Sequence, residues 1–368
     1  RPTGTLSGNA FMKMLLGALG YDAEVEQYTG ANWSINVAKR AMNIGLKDGL
    51  IGDFNGVKAV TREEACLYAF NTLQATMVEY SAKTSVSTNG TTVVIAGSEA
   101  KDVVNTGKTD SNIDKDGKMQ FAEKYFEDLK LDKTSDDFGR PANKWNVKKE
   151  EVGTYANTPD ATFTKKVTKA DVYNAIGKTV YDDLKDGDAT LTTYFDGDGT
   201  KVKAADVDST WANKNDTGKV NSTGNGDLTE IYVDDDNNVT IVTIRTYVFQ
   251  AATDYDAKKE SVNLTQDGSK ADNLTNAAKT IVLNDRTVEA EDYAVVKDLK
   301  ADDYVLVTAV KNGSGYDVKS VEKAEVKTVE VSGYKLNDSV DAASTTYKYN
   351  ANADSIKGTS YNVGKQAT

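Results

Sequence analysis

The 368-residue chain has no histidine, one cysteine and three prolines. Without histidine, no Ser-His or Cys-His nucleophile can be assembled. A lone Cys66 forbids an internal disulfide, and nothing beside it in sequence would activate the thiol. It falls on what reads as the apolar face of a helix, so a buried small hydrophobe is expected there. Scarce cysteine is compatible with export. No apolar run approaches the ~20 residues of a membrane span, and no signal peptide is visible. The abrupt start at RPTGTL and the unclosed end at YNVGKQAT leave room for a leader and further sequence on either side. No Gly-rich phosphate loop follows a strand. Acidic side chains are too numerous for a glycosidase-like pair to stand out, and no segment has the size of a hydrolase barrel or sandwich. Catalysis is not expected.

Positive charge is also short. There are 44 basic and 56 acidic side chains, a formal charge of -12 and a pI near 4.8. With no basic patch, the chain is a poor partner for nucleic acid and for an anionic membrane face.

What is abundant points to β structure. The 19 Tyr, with many Thr and Val, favour strands; the 28 Gly, with many Asp and Asn, favour polar turns. The length suffices for two or three domains with cores of their own.

Residues 1–81 break this pattern. Phe11, Leu15, Ala18 and Leu19 recur at helical spacing, with Gly20 as the stop. Val37, Ala38, Ala41 and Met42 do the same before Gly45. Cys66, Phe70, Leu73 and Met77 mark a third amphipathic helix, and the three should pack together. Further on, TTVVI (91–95) reads as a strand, and 119–129 as a helix aligning Phe121, Tyr125 and Leu129. A short helix is expected over 168–177, capped by Thr168 with Asp171 at N3 and ended by Gly177. After residue 188 strands dominate. The clearest hairpin pairs 228–233 with 239–249 through the turn 234–238, and a second turns at NGSG.

The third helix opens with TREEACLYAF (61–70). Thr61 and Glu64 form the Thr-x-x-Glu capping box, worth roughly 1 kcal/mol. Glu63 suits the positive end of the helix dipole, whereas Arg62 does not. A ligand carboxylate would explain Arg62; so would a salt bridge to an acidic loop. The residues alone leave both open.

Residues 31–80 resemble one S-layer homology (SLH) repeat. The resemblance rests on Trp33, the helix to Ile44, GLKDGLIGDF (45–54) and VTREEA (60–65). RPTGTLSGNAFMKMLL resembles the second half of a preceding repeat, with Ser7 matching Thr61, 54 residues earlier. Such repeats anchor exported proteins to secondary cell-wall polysaccharide, often at a pyruvylated terminal sugar. The resemblance therefore implies that Arg62, with Glu63 beside it, contacts the anionic sugar, while Trp33 and the Gly49 turn shape the pocket. In the half repeat Gly8 and Ala10 stand where the motif has Arg and Glu, which implies a weak or dead groove there. The Tyr- and Asp-rich remainder, including DDFGRPANKW (136–145), loosely resembles the regions C-terminal to SLH repeats in surface proteins of gut Clostridia.

NIDKDGKMQFAE (112–123) fits a calcium-loop pattern. Asn112, Asp114, Asp116, Lys118 (through its backbone position) and Glu123 are the candidate ligands, around a turn at Gly117. An ordinary DKDG hairpin turn is the alternative, and no helix precedes the loop. YFDGDGTK and Asp234–Asp236 read as solvated turns.

Together these features predict a multidomain chain: an all-α SLH-type module over 1–81 (half repeat 1–24, full repeat 25–81), an α+β domain over 82–188, β-rich sandwich or small-barrel domains over 189–327, and a further small β unit from 328. The expected function is non-enzymatic, at the bacterial cell surface. The SLH module would anchor to wall polysaccharide, with no cofactor required beyond the calcium considered above. Copies of the chain would self-assemble into a layer or filament through the β domains, where Tyr offers contact area plus a hydroxyl. An adhesin or carbohydrate-binding protein, and a non-catalytic part of a larger surface enzyme, are the alternatives.

Overall fold

The computed structural model describes residues 4–81, 84–88, 91–95, 99–221, 223–265, 281–335, 339–348 and 366–367. The described residues are mostly β, 34% strand against 23% helix. Its contacts divide it into two units, Arg1–Thr134 with Ala142–Tyr155, and Ser135–Pro141 with Ala156–Thr368.

The first unit begins with three helices, α1 (Gly8–Ala18), α2 (Trp33–Asn43) and α3 (Arg62–Gln74). Ser7 caps α1 by accepting from the Ala10 amide, and Thr61 with Glu64 forms the expected capping box on α3. The two cap segments pair with each other: Ser7 bridges Ala59, and the Val60 amide donates to the Leu6 carbonyl at 2.9 Å.

The helices do not form the all-α module that the sequence suggested. Directly after α3 the chain enters strand β1 (Val78–Glu79), followed by β2 (Thr84–Thr88), β3 (Thr91–Ile95) and β4 (Lys101–Asp102). β1 pairs antiparallel with β4, and β2 with β3. The Met77, Val103 and Met119 backbones are joined by hydrogen bonds, and these side chains pack with Met12, Leu16, Leu19, Val37 and Ala41 in one core. Helical and extended segments therefore share their apolar interior, which is why helical periodicity alone misjudged the module.

The buried faces also differ in register from the expected ones. On α1 the centre is Met12, Leu16 and Leu19; Phe11 and Leu15 flank it and Ala18 is exposed. On α3 the buried residues are Tyr68 and Thr72, while Cys66 and Phe70 face outward. Apolar side chains stand nearly all round α3, so spacing could not single out its inner face. Tyr68 and Leu67 belong to the core with α1 and α2; Leu73 joins a second cluster with Ile113, Ala122, Leu131 and Trp145.

The helix expected over 119–129 shrinks to α4 (Phe121–Tyr125), and Leu129 starts strand β5 (Leu129–Ser135). The Asn112 side-chain amide takes the Glu127 carbonyl at 2.8 Å, outside the helical ladder. β6 (Pro141–Val147) and β7 (Glu150–Ala156) complete a three-stranded sheet in the order β5-β6-β7.

The second unit opens with β8 (Ala161–Phe163) and α5 (Lys169–Asp186). The capping box of Thr168 and Asp171 is present. Gly177 breaks the helical dihedrals, as its sequence position suggested, yet the helix resumes and ends at left-handed Gly187. Strands β9 (Leu191–Phe195), β10 (Asp198–Val202), β11 (Asp227–Val233) and β12 (Val239–Arg245) join β8 in a five-stranded sheet ordered β10-β9-β12-β11-β8. α5 covers one face, packing Val172, Ile176, Val180 and Leu184 against Leu191, Ile231 and Ile241. The expected hairpin closes with Val233 opposite Val239.

The strand read as 239–249 is two strands. After Arg245 a single residue, Thr246, leads into β13 (Tyr247–Ala251), which lies in another sheet. The side chain of Asp196, in the β9–β10 turn, holds this corner. It accepts from the Arg245 amide at 2.9 Å and from the Tyr247 hydroxyl at 2.6 Å, and is 1% exposed. Its neighbour Gly197 has φ +82°, and a Cβ there would stand 2.6 Å from both the Asp137 carbonyl oxygen and a Val310 methyl. β14 (Ser261–Thr265), β15 (Thr287–Glu289), β16 (Tyr304–Asn312) and β17 (Gly315–Lys323) complete the second five-stranded sheet. Its core contains Tyr247, Phe249, Leu264, Leu299 and Val305. The β16–β17 turn falls at NGSG, with Asn312 opposite Gly315.

Five short strands come last: β18 (Val329–Glu330), β19 (Gly333–Lys335), β20 (Ser339–Ala342), β21 (Thr345–Lys348) and β22 (Gln366–Ala367). Residues 336–338, 349–365 and 368 of the expected final unit lie outside the described residues.

Candidate functional site

Arg62 is the first residue of α3 and is exposed. Among the described residues no carboxylate or other hydrogen-bonding partner holds its guanidinium. Thr61 and Glu64 satisfy the helix start between themselves, at 3.1 and 2.7 Å, without its help. Glu63 is exposed beside it. Gly49 lies in the turn between α2 and α3 with φ +83°, where a Cβ would touch Leu67 of α3 at 3.5 Å. Asn71, also on α3, straps this turn down: its side-chain amide donates to the Leu46 carbonyl at 3.1 Å and the Asp48 carbonyl at 2.9 Å. Arg62 and Gly49 are thus both positioned by α3.

Trp33 stands elsewhere, at the start of α2 facing α1. It lines an open cleft of about 650 Å³ with Ala10, Lys13, Met14, Tyr28 and Thr29. Arg62, Glu63 and Gly49 are not among the lining residues. The cation of this cleft is Lys13. Its ammonium donates to the Tyr28 carbonyl at 2.7 Å and lies 5.5 Å from the centre of the Trp33 ring, within cation–π reach. Lys13 is the only basic residue of α1, a signal that the sequence offered and that motif matching passed over.

Gly8, where the resemblance to an SLH repeat would put an Arg, is hemmed in by backbone. A Cβ there would meet the Asn55 carbonyl oxygen and the Gly56 Cα, each at 3.2 Å, and the Phe54 ring at 3.3 Å. The Gly8 amide donates to the Lys58 carbonyl and the Asn9 amide to that of Gly56. The missing side chain lets the 54–58 loop close over the start of α1.

A second, polar cleft of about 380 Å³ is lined by Glu26, Gln27, Asn36, Lys39, Arg40 and Asn43. Arg40 donates to Glu26 at 2.8 Å and lies over the Tyr21 ring at 5.2 Å. The Tyr80 hydroxyl takes the other Glu26 oxygen at 2.8 Å. Burial, then the bond to the Glu26 carboxylate, holds the Tyr80 hydroxyl well above the ordinary tyrosine range.

The calcium-loop residues each serve the local fold. Glu123 is 1% exposed and accepts from the Ile113 amide at 3.1 Å and the Asn105 side chain at 2.7 Å. Asn112 is buried and bound to the Glu127 carbonyl. Asp116 accepts from the Lys118 amide and the Gln120 side chain, while the Lys118 ammonium pairs with Asp102. Asp114 faces Lys133 at 3.7 Å. Among the described residues no three His, Cys, Asp or Glu side chains are gathered as a metal ion would need.

No described helix is long and apolar enough to cross a membrane. No protein-family profile, curated protein or solved structure matches the chain.

Proposed function

We propose that this is a non-enzymatic bacterial cell-surface protein whose first unit binds an anionic wall polysaccharide and whose β-rich unit serves assembly between copies. The observation that carries the reading is the Trp33 cleft, where an indole platform and the Lys13 ammonium flank one open space. Sugars stack on aromatic faces through their apolar C–H surface, and an anionic substituent wants a nearby cation. The unpaired Arg62 at a helix N-terminus offers a second anion contact. Support also comes from the SLH-like TREEA segment, whose cap leaves Arg62 free for another task.

Purified cell walls, with and without their secondary polymer, test the proposal by co-sedimentation. The native chain should sediment only with polymer-bearing walls, and Trp33→Ala, Lys13→Ala and Arg62→Ala should each weaken it. Equal sedimentation with stripped walls, or indifference to all three substitutions, would overturn the reading.

A further inference from the structure

The second cleft has its own logic. Arg40 is pinned without being used up. Glu26 holds one amino group and the Tyr21 ring lies beneath the guanidinium, yet the side chain remains 38% exposed. A guanidinium carries five N–H donors in a rigid fork, and among the described residues one hydrogen bond is made. Glu26 is itself fixed from the other side by Tyr80. An arginine fixed in this way is a preorganised receptor for a carboxylate.

The rest of the lining suits a ligand bearing hydroxyls beside that carboxylate. Asn36 and Asn43 on α2, and Gln27 in the preceding segment, place amide groups around Arg40. Lys39 adds a cation that nothing among the described residues pairs. The ionic lining is Glu26 against Lys39 and Arg40, a local positive excess on a chain with a formal charge of -12. Gln27 holds φ +55°, an uncommon conformation for a side-chain-bearing residue, and Asn36 donates to its carbonyl at 3.1 Å. Such local strain persists where surroundings enforce it and gathers at binding sites.

A buried hydroxyl stands near the same arginine. The Tyr28 hydroxyl is buried, in a residue 1% exposed, and has no hydrogen-bond partner. It lies near the Arg40 guanidinium. An unmade buried hydrogen bond is costly.

The geometry points to a binding site for a sugar acid, a single hydroxyl-rich residue bearing a carboxylate, in the Glu26–Arg40 cleft. Arg40 takes the carboxylate, Lys39 supports it, and the Asn36, Asn43 and Gln27 amides meet the hydroxyls. The volume, about 380 Å³, lies in the range of small-molecule sites. The inference is independent of wall anchoring, because it concerns other residues and a monomeric ligand.

Saturation-transfer NMR on the full chain tests it, with D-glucuronate, D-glucose and acetate as probes. Glucuronate should bind, and glucose and acetate should bind at least about tenfold more weakly, the usual scale for one charge-assisted contact. Lys39→Ala and Arg40→Lys should each weaken glucuronate several-fold or more, with Lys58→Ala unchanged. Since Arg40→Lys also disturbs an ion pair, the exposed Lys39 keeps the test readable if that variant misfolds. Acetate binding as tightly as glucuronate would reduce the site to a general anion contact and overturn the sugar assignment. Loss of binding in Trp33→Ala with Lys39→Ala unaffected would place the ligand in the other cleft. No binding of glucuronate to the native chain would end the proposal.

Discussion

The Lys13 ammonium stands 5.5 Å from the centre of the Trp33 ring, anchored to the Tyr28 carbonyl at 2.7 Å. One residue comes from α1 and the other opens α2, so the cleft between them exists only in the folded unit. Lys13→Met should leave folding intact while weakening polysaccharide binding, since the aliphatic stem is kept and the charge removed. Sedimentation with polymer-bearing walls, beside a thermal melt, separates the two effects.

Placing an arginine at position 8 should fail. Gly8→Arg places a Cβ 3.2 Å from the Asn55 carbonyl oxygen and the Gly56 Cα, and backbone cannot step aside as a side-chain tip can. A loss of about 1–3 kcal/mol is expected from such overpacking. Urea unfolding, with no gain in wall binding, is the measurement.

Asn71 should matter more than its surface position suggests. Asn71→Ala removes two hydrogen bonds to the Leu46 and Asp48 carbonyls. The expected loss is about 1–2 kcal/mol, read from denaturant midpoints, together with faster amide exchange in residues 45–50.

The native chain should present one reactive thiol. Cys66 is exposed on α3, so a disulfide reagent should titrate it without denaturant, and Cys66→Ser should change stability by less than about 0.5 kcal/mol. A thiol that reacts only after unfolding would return Cys66 to the interior.

Asp196 gives a pH dependence of definite sign. Burial pushes its carboxyl up to about 6, against the lowering effects of Tyr247, the Arg245 amide and the Arg245 charge. The folded value lies above the unfolded one, near 3.9. Its contribution to stability is therefore fully present below the unfolded value and is lost as pH rises through about 6. Asp196→Asn should flatten the stability profile between about pH 4 and 6, where the native slope from this group reaches about 1.4 kcal/mol per pH unit. Denaturant midpoints across that interval check it.

Caps and turns were the most legible features. Thr61 with Glu64, Thr168 with Asp171, the Val233–Val239 hairpin and the NGSG turn all rest on local chemistry, and local chemistry is written in neighbouring residues. The all-α module was misread because Met77 and Met119 complete a core begun by Met12 and Leu16, and that sharing depends on distant pairings. The faces of α1 and α3 shifted for the same reason: Phe70 found Trp145, 75 positions on, at 5.1 Å. For the site, Arg62 and Trp33 were visible as residue types. Their separation was not, nor was the partnership of Trp33 with Lys13. The Glu26–Arg40 cleft was missed altogether, since its parts carry no motif and meet only through the fold.

The corner at Thr246 has a consequence for dissection of the chain. A protease needs several extended, accessible residues to seat its cleavage site. Between β12 and β13 there is one, with Asp196 bound to the residues on both sides. Limited digestion should therefore spare the junction at Thr246 between the two five-stranded sheets. Cutting the gene at residue 246 would not yield two independent halves either, because Asp196 and Tyr247 would be expressed on different pieces.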